Sequence, residues 1–217
     1  RIAWRDLAGL APIEQVLAEL SALADACIGA ACRHALAVLG ARHGPPLGGN
    51  HRGMLEIAAA LEDGGASFVD INDNATARAG MSALMLSTAI ERSTALETIP
   101  HLTTRDATVL GLESQLLGAH AEGIRNILAV TGDPPEVGDY PGSSGVYEVD
   151  AIGLTQLISH LNRGEDFNGR AIDAATSFFT GVAVNPTADD LDVEVERFRR
   201  KLDAGAARVA DDRDAAA

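Results

Sequence analysis

Short runs of β-branched and apolar residues alternate with longer helical patterns along most of this chain, and that alternation restricts the fold more than any other feature. Ser67–Asn72 (S-F-V-D-I-N), Glu97–Leu102, Asn126–Thr131 (N-I-L-A-V-T), Ser177–Asn185 (S-F-F-T-G-V-A-V-N) and Ala207–Ala210 read as strands. Arg52–Glu62, Arg78–Arg92, Asp106–Glu122, Asp150–Asn162 and Asp189–Ala204 read as helices. A strand–helix unit of roughly 30 residues is what a parallel β/α connection requires. Right-handed crossovers wind such units into a barrel or an open doubly wound sheet. No G-x-G-x-x-G follows a strand, which counts against a dinucleotide-binding sheet. Ala35–Gly40 adds an earlier strand after the Ala/Leu-rich helical stretch Pro12–Leu39, and the Gly- and Pro-rich segment Ala41–Asn50 is irregular. A complete (β/α)8 barrel takes about 250 residues. The expectation is therefore an α/β fold, a TIM (β/α)8-type barrel, incomplete, with about six of its eight units present. Residues 1–34 would form a helical extension, 35–210 the barrel and 211–217 an acidic tail.

Composition narrows the partners. Hydrophobic residues make up 47% and aromatics only 4%, so the core must be built from Ala, Leu, Val and Ile. The formal charge of −14 argues against a nucleic acid or an anionic membrane as partner. Cys27 and Cys32 lie five residues apart on one helical stretch and face different directions. They read as buried thiols in a reducing cytoplasm. No apolar run reaches the roughly 18 residues of a membrane helix, and no signal peptide is recognisable. The first residue is Arg1, so the natural N-terminus is expected upstream.

In a parallel β/α barrel the residues that close each strand surround a common mouth where ligands bind. Here that rim holds Asn72, Asp73 and Asn74; His101, Thr103 and Thr104; Thr131, Gly132 and Asp133; and Asn185. So many amide, imidazole and carboxyl groups point to a polar ligand. Thr103 and Asp106 have the spacing of a capping box. Asp133, between Gly132 and Pro134-Pro135, is either an Asx-turn residue or a carboxylate preset towards a ligand. His101 is either a satisfied core residue or a ligand contact. No His/Cys/Asp/Glu cluster has metal-ligand spacing, and neither Ser143 nor Ser144 sits in a nucleophile elbow.

P-H-L-T-T-R-D from Pro100, N-I-L-A-V-T-G-D-P-P from Asn126, F-F-T-G-V-A-V-N-P from Phe178 and R-K-L-D-A-G-A from Arg200 stand in one order and spacing. In these motifs, from about Ser67 to Ala207, the chain resembles methylenetetrahydrofolate reductases. The resemblance implies a flavoprotein barrel that uses FAD, reduced by NAD(P)H, to convert 5,10-methylenetetrahydrofolate into 5-methyltetrahydrofolate. It assigns Asn72, His101, Thr131, Gly132, Asp133, Asn185, Glu194 and Lys201 to the cofactor side of the mouth, with Asp133 as the catalytic carboxylate between flavin and pterin. It also implies a glutamate three residues before a Pro-Pro pair on the first strand, acting as general acid. Arg42 stands there, before Pro45-Pro46, unless His43 takes the role. The alternative is a degenerate flavin- or folate-binding barrel without turnover, or a partner subunit. A homo-oligomer or a barrel-completing partner is expected either way.

Overall fold

The computed structural model of the protein describes residues 45–211. The helix at Pro12–Leu39, the strand at Ala35–Gly40, Cys27, Cys32, Arg42, His43 and the tail from residue 212 onward lie outside the described residues. Within them are five strands: β1 (Phe68–Ile71), β2 (Glu97–Thr103), β3 (Asn126–Val130), β4 (Phe179–Val184) and β5 (Arg208–Asp211). Helix α1 (Arg52–Asp63) precedes them, and α2 (Ala83–Ser93), α3 (Val109–Ala121), α4 (Ala151–Asn162) and α5 (Leu191–Asp203) alternate with them.

All four strand pairings are parallel, and the strands lie in the order β1-β2-β3-β4-β5. A doubly wound sheet reverses its order at a switch point; this sheet runs one way, as a barrel wall does. The architecture is that of a partial TIM barrel. In register, Phe68 sits beside Glu97, His101 beside Leu128, and Asn126 beside Phe179.

Alternation along the strands divides core from mouth. Leu102, Ile127 and Ala129 pack outward with Leu112 and Leu116 of α3 and with Leu154, Leu157, Ile158 and Leu161 of α4. Ile71 joins Ala58, Ala83, Leu86 and Ile90 in a second cluster beneath α1 and α2. Each fully buried Leu or Ile contributes about 1.5–3 kcal/mol, and Leu and Ile dominate both clusters, as the low aromatic content required. The intervening residues, Asp70, His101 and Thr103 among them, are left for the inner face.

Two helices start later than the sequence indicates. The helix expected from Arg78 begins at Ala83, because Ala75–Ala77 form a 3-10 turn. That turn is pinned by side-chain bonds: the Gly80 N–H donates to Asn74 Oδ1 at 3.0 Å, and the Ala79 N–H to Asp139 Oδ2 at 2.9 Å. The helix expected from Asp106 begins at Val109, capped by the Thr108 hydroxyl, which accepts from the Gly111 N–H at 3.2 Å. The Thr103–Asp106 capping box is therefore not formed. Asp106 is engaged instead by the neighbouring Arg105, whose Nε and Nη2 donate to its two oxygens at 2.8 and 2.7 Å. Among the described residues, no helix is long and apolar enough to cross a membrane.

Candidate functional site

At the C-terminal ends of the strands lies a cavity of about 260 Å³. Its floor is made by small apolar residues, Val130, Ala151 and Ala183. Polar groups from three strand ends and from α5 form its walls: Asp73, His101, Thr103, Thr131, Asp133, Arg197 and Lys201. Small floor residues and a polar rim suit a flat ring with hydrogen-bonding edges.

Specific bonds hold most of these wall residues. His101 is only 3% exposed, and its Nε2 lies 2.9 Å from Asp70 Oδ2 on the adjacent strand. Asp73 Oδ2 accepts from both the Thr103 N–H and the Thr103 hydroxyl, at 3.0 and 3.1 Å. Burial pushes the Asp73 carboxyl above the usual aspartate value, against the opposing pull of those two bonds. Asp133 Oδ2 accepts from the Thr76 N–H at 2.8 Å, a bond between two loops rather than the local Asx turn. Thr131 Oγ1 accepts from the Ala151 N–H at 3.1 Å and so meets the start of α4. Lys201, 5% exposed, donates from Nζ to the Ala183 carbonyl at 2.6 Å.

Behind the rim sits a charged clamp. Arg105 is 4% exposed and reaches three places. It holds Asp106, donates from Nη1 to the Asp133 carbonyl at 3.0 Å, and from Nη2 to the Asn74 carbonyl at 3.2 Å. The Asp106 carboxyl lies below its usual range, chiefly through its bond to Arg105. This clamp fixes a loop that is strained on its own account, since Asn74, Thr76 and Ala77 all have positive φ. Such residues cost on the order of 1–3 kcal/mol each and persist where neighbours over-determine them. Gly132 is a further tight point: its φ is +89°, and a Cβ there would press on Thr103 Cβ at 3.1 Å. Only glycine turns the chain here from β3 towards Asp133.

The structure thus gathers His101, Thr131, Gly132, Asp133 and Lys201 around one cavity. Asn72 lies at the end of β1 and lines a smaller recess with Met54, Ile57 and Leu86. Asn185 Oδ1 is turned into a local loop, accepting from the Thr187 N–H and hydroxyl at 3.0 and 2.8 Å. Glu194 accepts from the Asn185 N–H at 3.1 Å and pairs with Arg197 at 3.8 Å, outside the cavity lining. Sequence reasoning missed Asp70, the clamp role of Arg105, and Arg197. An acidic residue at the centre of S-F-V-D-I-N, in phase with Asn72, was the one visible signal for Asp70. Among the described residues, no group of three or more His, Cys, Asp or Glu side chains is placed to hold a metal.

Comparison with known proteins fits this arrangement. The pattern of the methylenetetrahydrofolate reductase family matches residues 13–211. A 5,10-methylenetetrahydrofolate reductase of Salmonella typhimurium (strain LT2) is 33% identical over 122 residues, covering 55% of this chain. The match spans 35% of the length of that relative. With nearly its whole length matched, the chain belongs to the methylenetetrahydrofolate reductase family.

Proposed function

We propose that the cavity binds FAD and that the protein reduces 5,10-methylenetetrahydrofolate to 5-methyltetrahydrofolate at the expense of NADH or NADPH. The observation that carries this reading is the convergence of His101, Thr131, Gly132, Asp133 and Lys201 on one cavity with a small apolar floor. The residues present fit the cofactor. Lys201 and Arg197 bring positive charge to the cavity wall of a chain whose net charge is −14, as a pyrophosphate requires. Ala151 and Ala183 leave room for a planar ring, and His101 and Thr131 offer polar groups to its edge. Asn72, Asn185 and Glu194 take part at most indirectly, Glu194 by holding the Asn185 backbone and Arg197.

When bound, the flavin supplies hydride transfer between the nicotinamide and the folate. The protein's share is placement. Asp133 presents a carboxylate on a backbone made rigid by Pro134-Pro135 and by the Arg105 clamp, suited to the N–H edge of a pterin. The reducing cytoplasm is the setting that goes with this chemistry and with the two cysteines.

The test is spectroscopic. Protein purified with FAD should be yellow, should bleach on addition of NADH or NADPH, and should recover its colour with 5,10-methylenetetrahydrofolate. Protein that does not retain FAD removes the cofactor assignment. Flavin that binds but is never bleached by either nucleotide turns the reading into that of a non-catalytic binding barrel.

A further inference from the structure

A helix on the outside of a β/α barrel ordinarily turns a charged face to water. Helix α3 does not. Its 13 residues, V-L-G-L-E-S-Q-L-L-G-A-H-A, include no lysine or arginine and a single carboxylate. Leu112, Leu116 and Ala119 face the core. On the exposed side, Leu110, Ser114, Leu117 and Ala121 follow one another at i, i+4, i+7 and i+11, which is one line along the helix. Leu110 is 79% exposed and Leu117 37%. The two ionisable groups of the helix are engaged away from this line. Glu113 Oε2 accepts from the Phe167 N–H at 3.5 Å, and His120 Nε2 from the Ser177 N–H at 3.1 Å. Glu122, the next residue, is paired with Arg92 of α2.

This line is complementary to itself. Reversing the helix about its midpoint, between Gln115 and Leu116, sets position 110 against 121 and position 114 against 117. Leu110 then meets Ala121 and Leu117 meets Ser114, so each large side chain falls on a small one. Gly118 leaves a notch beside them, since a Cβ there would meet nothing within 4 Å. Opposite charges are fixed at the two ends of the same helix. Glu148 Oε2 accepts from the Val109 N–H at 2.8 Å, and Arg125 Nη1 donates to the His120 carbonyl at 2.8 Å. Both residues are exposed, and the same reversal carries Glu148 of each copy to Arg125 of the other. A chain with a net charge of −14 repels its own copy over most of its surface. Here the middle is uncharged and the ends attract.

We propose that α3 is the self-association face of this protein: two copies pack α3 against α3, antiparallel about a two-fold axis, with Glu148 of each copy facing Arg125 of the other. Such an isologous contact closes at two copies. A helix of this length is about 20 Å long, so the contact is small, and a dimer exchanging with monomer in the micromolar range is expected. The proposal stands apart from the reductase reading, and neither FAD nor folate enters its test.

The experiment is sedimentation velocity on the full chain from about 1 to 200 µM, which should show one monomer–dimer equilibrium. Leu117→Glu should raise the dissociation constant about 10-fold or more. Leu110→Gln, at a site too exposed to disturb folding, should raise it about 3–10-fold. Arg125→Glu and Glu148→Arg each set like charges against one another at both ends and should each raise it about 3–10-fold. The two reversals together should return it to within about 2-fold of the parent value. That recovery separates a contact between copies from a structural role within one copy, for which the two losses would add. A chain that stays monomeric throughout the range overturns the proposal. So does a dimer that Leu117→Glu and Leu110→Gln leave unchanged, which places the contact elsewhere, such as the edges of β1 and β5. Charge reversals whose effects add, or growth beyond two copies, overturn it as well.

Discussion

Replacing Arg105 with Met tests whether the clamp holds the mouth together. Met keeps most of the aliphatic stem but deletes the guanidinium. Two carbonyls, of Asp133 and Asn74, then lose donors at 3.0 and 3.2 Å. Hydrogen bonds from a charged donor are worth about 1.5–3 kcal/mol each. The Asp106 carboxylate loses two more bonds, but its side chain is 44% exposed and rehydrates, so that pair is discounted to about 1 kcal/mol or less. Relief of the buried guanidinium's own desolvation offsets part of the sum. The net expectation is a loss of about 2–4 kcal/mol, before any release of the strain at Asn74, Thr76 and Ala77. Urea unfolding with a slope near 2–3 kcal/mol/M should register this as a midpoint lowered by about 1 M. A pH series adds a sign. Because Arg105 depresses the Asp106 pKa, Asp106 contributes stability above its unfolded pKa near 3.8, and this is lost as pH falls through the folded value. The gap between parent and Arg105→Met should thus narrow in acid. A midpoint shift below about 0.3 M at neutral pH, or a gap that widens in acid, would refute the clamp.

Asp133→Asn keeps an oxygen for the Thr76 N–H but loses the charge, so FAD retention should hold while folate-driven flavin recovery slows about 10–100-fold; FAD loss instead would make the residue structural. His120 Nε2 accepts from the Ser177 N–H at 3.1 Å, and burial depresses its pKa, so it stabilises the fold when neutral. That stability should be present above the ordinary histidine pKa near 6.5 and be lost as pH falls through the lower folded value, with His120→Gln flattening the slope in thermal unfolding scans. Gly205 has φ +107°, and a Cβ there would overlap the Ser159 hydroxyl that donates to the Ala204 carbonyl at 2.6 Å. Gly205→Ala should cost about 2–4 kcal/mol by denaturant titration, summing backbone strain and the broken bond.

Much of the scaffold is legible because its signals are local. The alternation of V-D-I-N and A-V-T with amphipathic helices identifies β1 to β5, and their order in the sheet follows the chain. The helix starts at Ala83 and Val109 escape the same reading because side chains compete for the backbone there. Asn74 and Asp139 divert the first, and Arg105 removes Asp106 from the second. For the rim, the strand-end rule names His101, Thr131, Gly132 and Asp133, which line one cavity, together with Asn72, which lines a separate recess, and Asn185, whose side chain bonds within its own loop.

Neighbouring residues are enough to establish that this chain is built from parallel β/α units, that a polar rim closes their C-terminal ends, and which family that rim resembles. Periodicity and motif order carry such information because each depends on a few adjacent positions. Which rim groups act together is set by the assembled sheet instead. Asp70 meets His101 across 31 positions, Asp73 meets Thr103 across 30, and Arg105 reaches the Asp133 backbone across 28. These encounters depend on strand register and on a strained loop held from outside. Neither leaves a local trace, so the burial that raises the Asp73 pKa and the rigidity of Asp133 emerge only once the strands stand side by side.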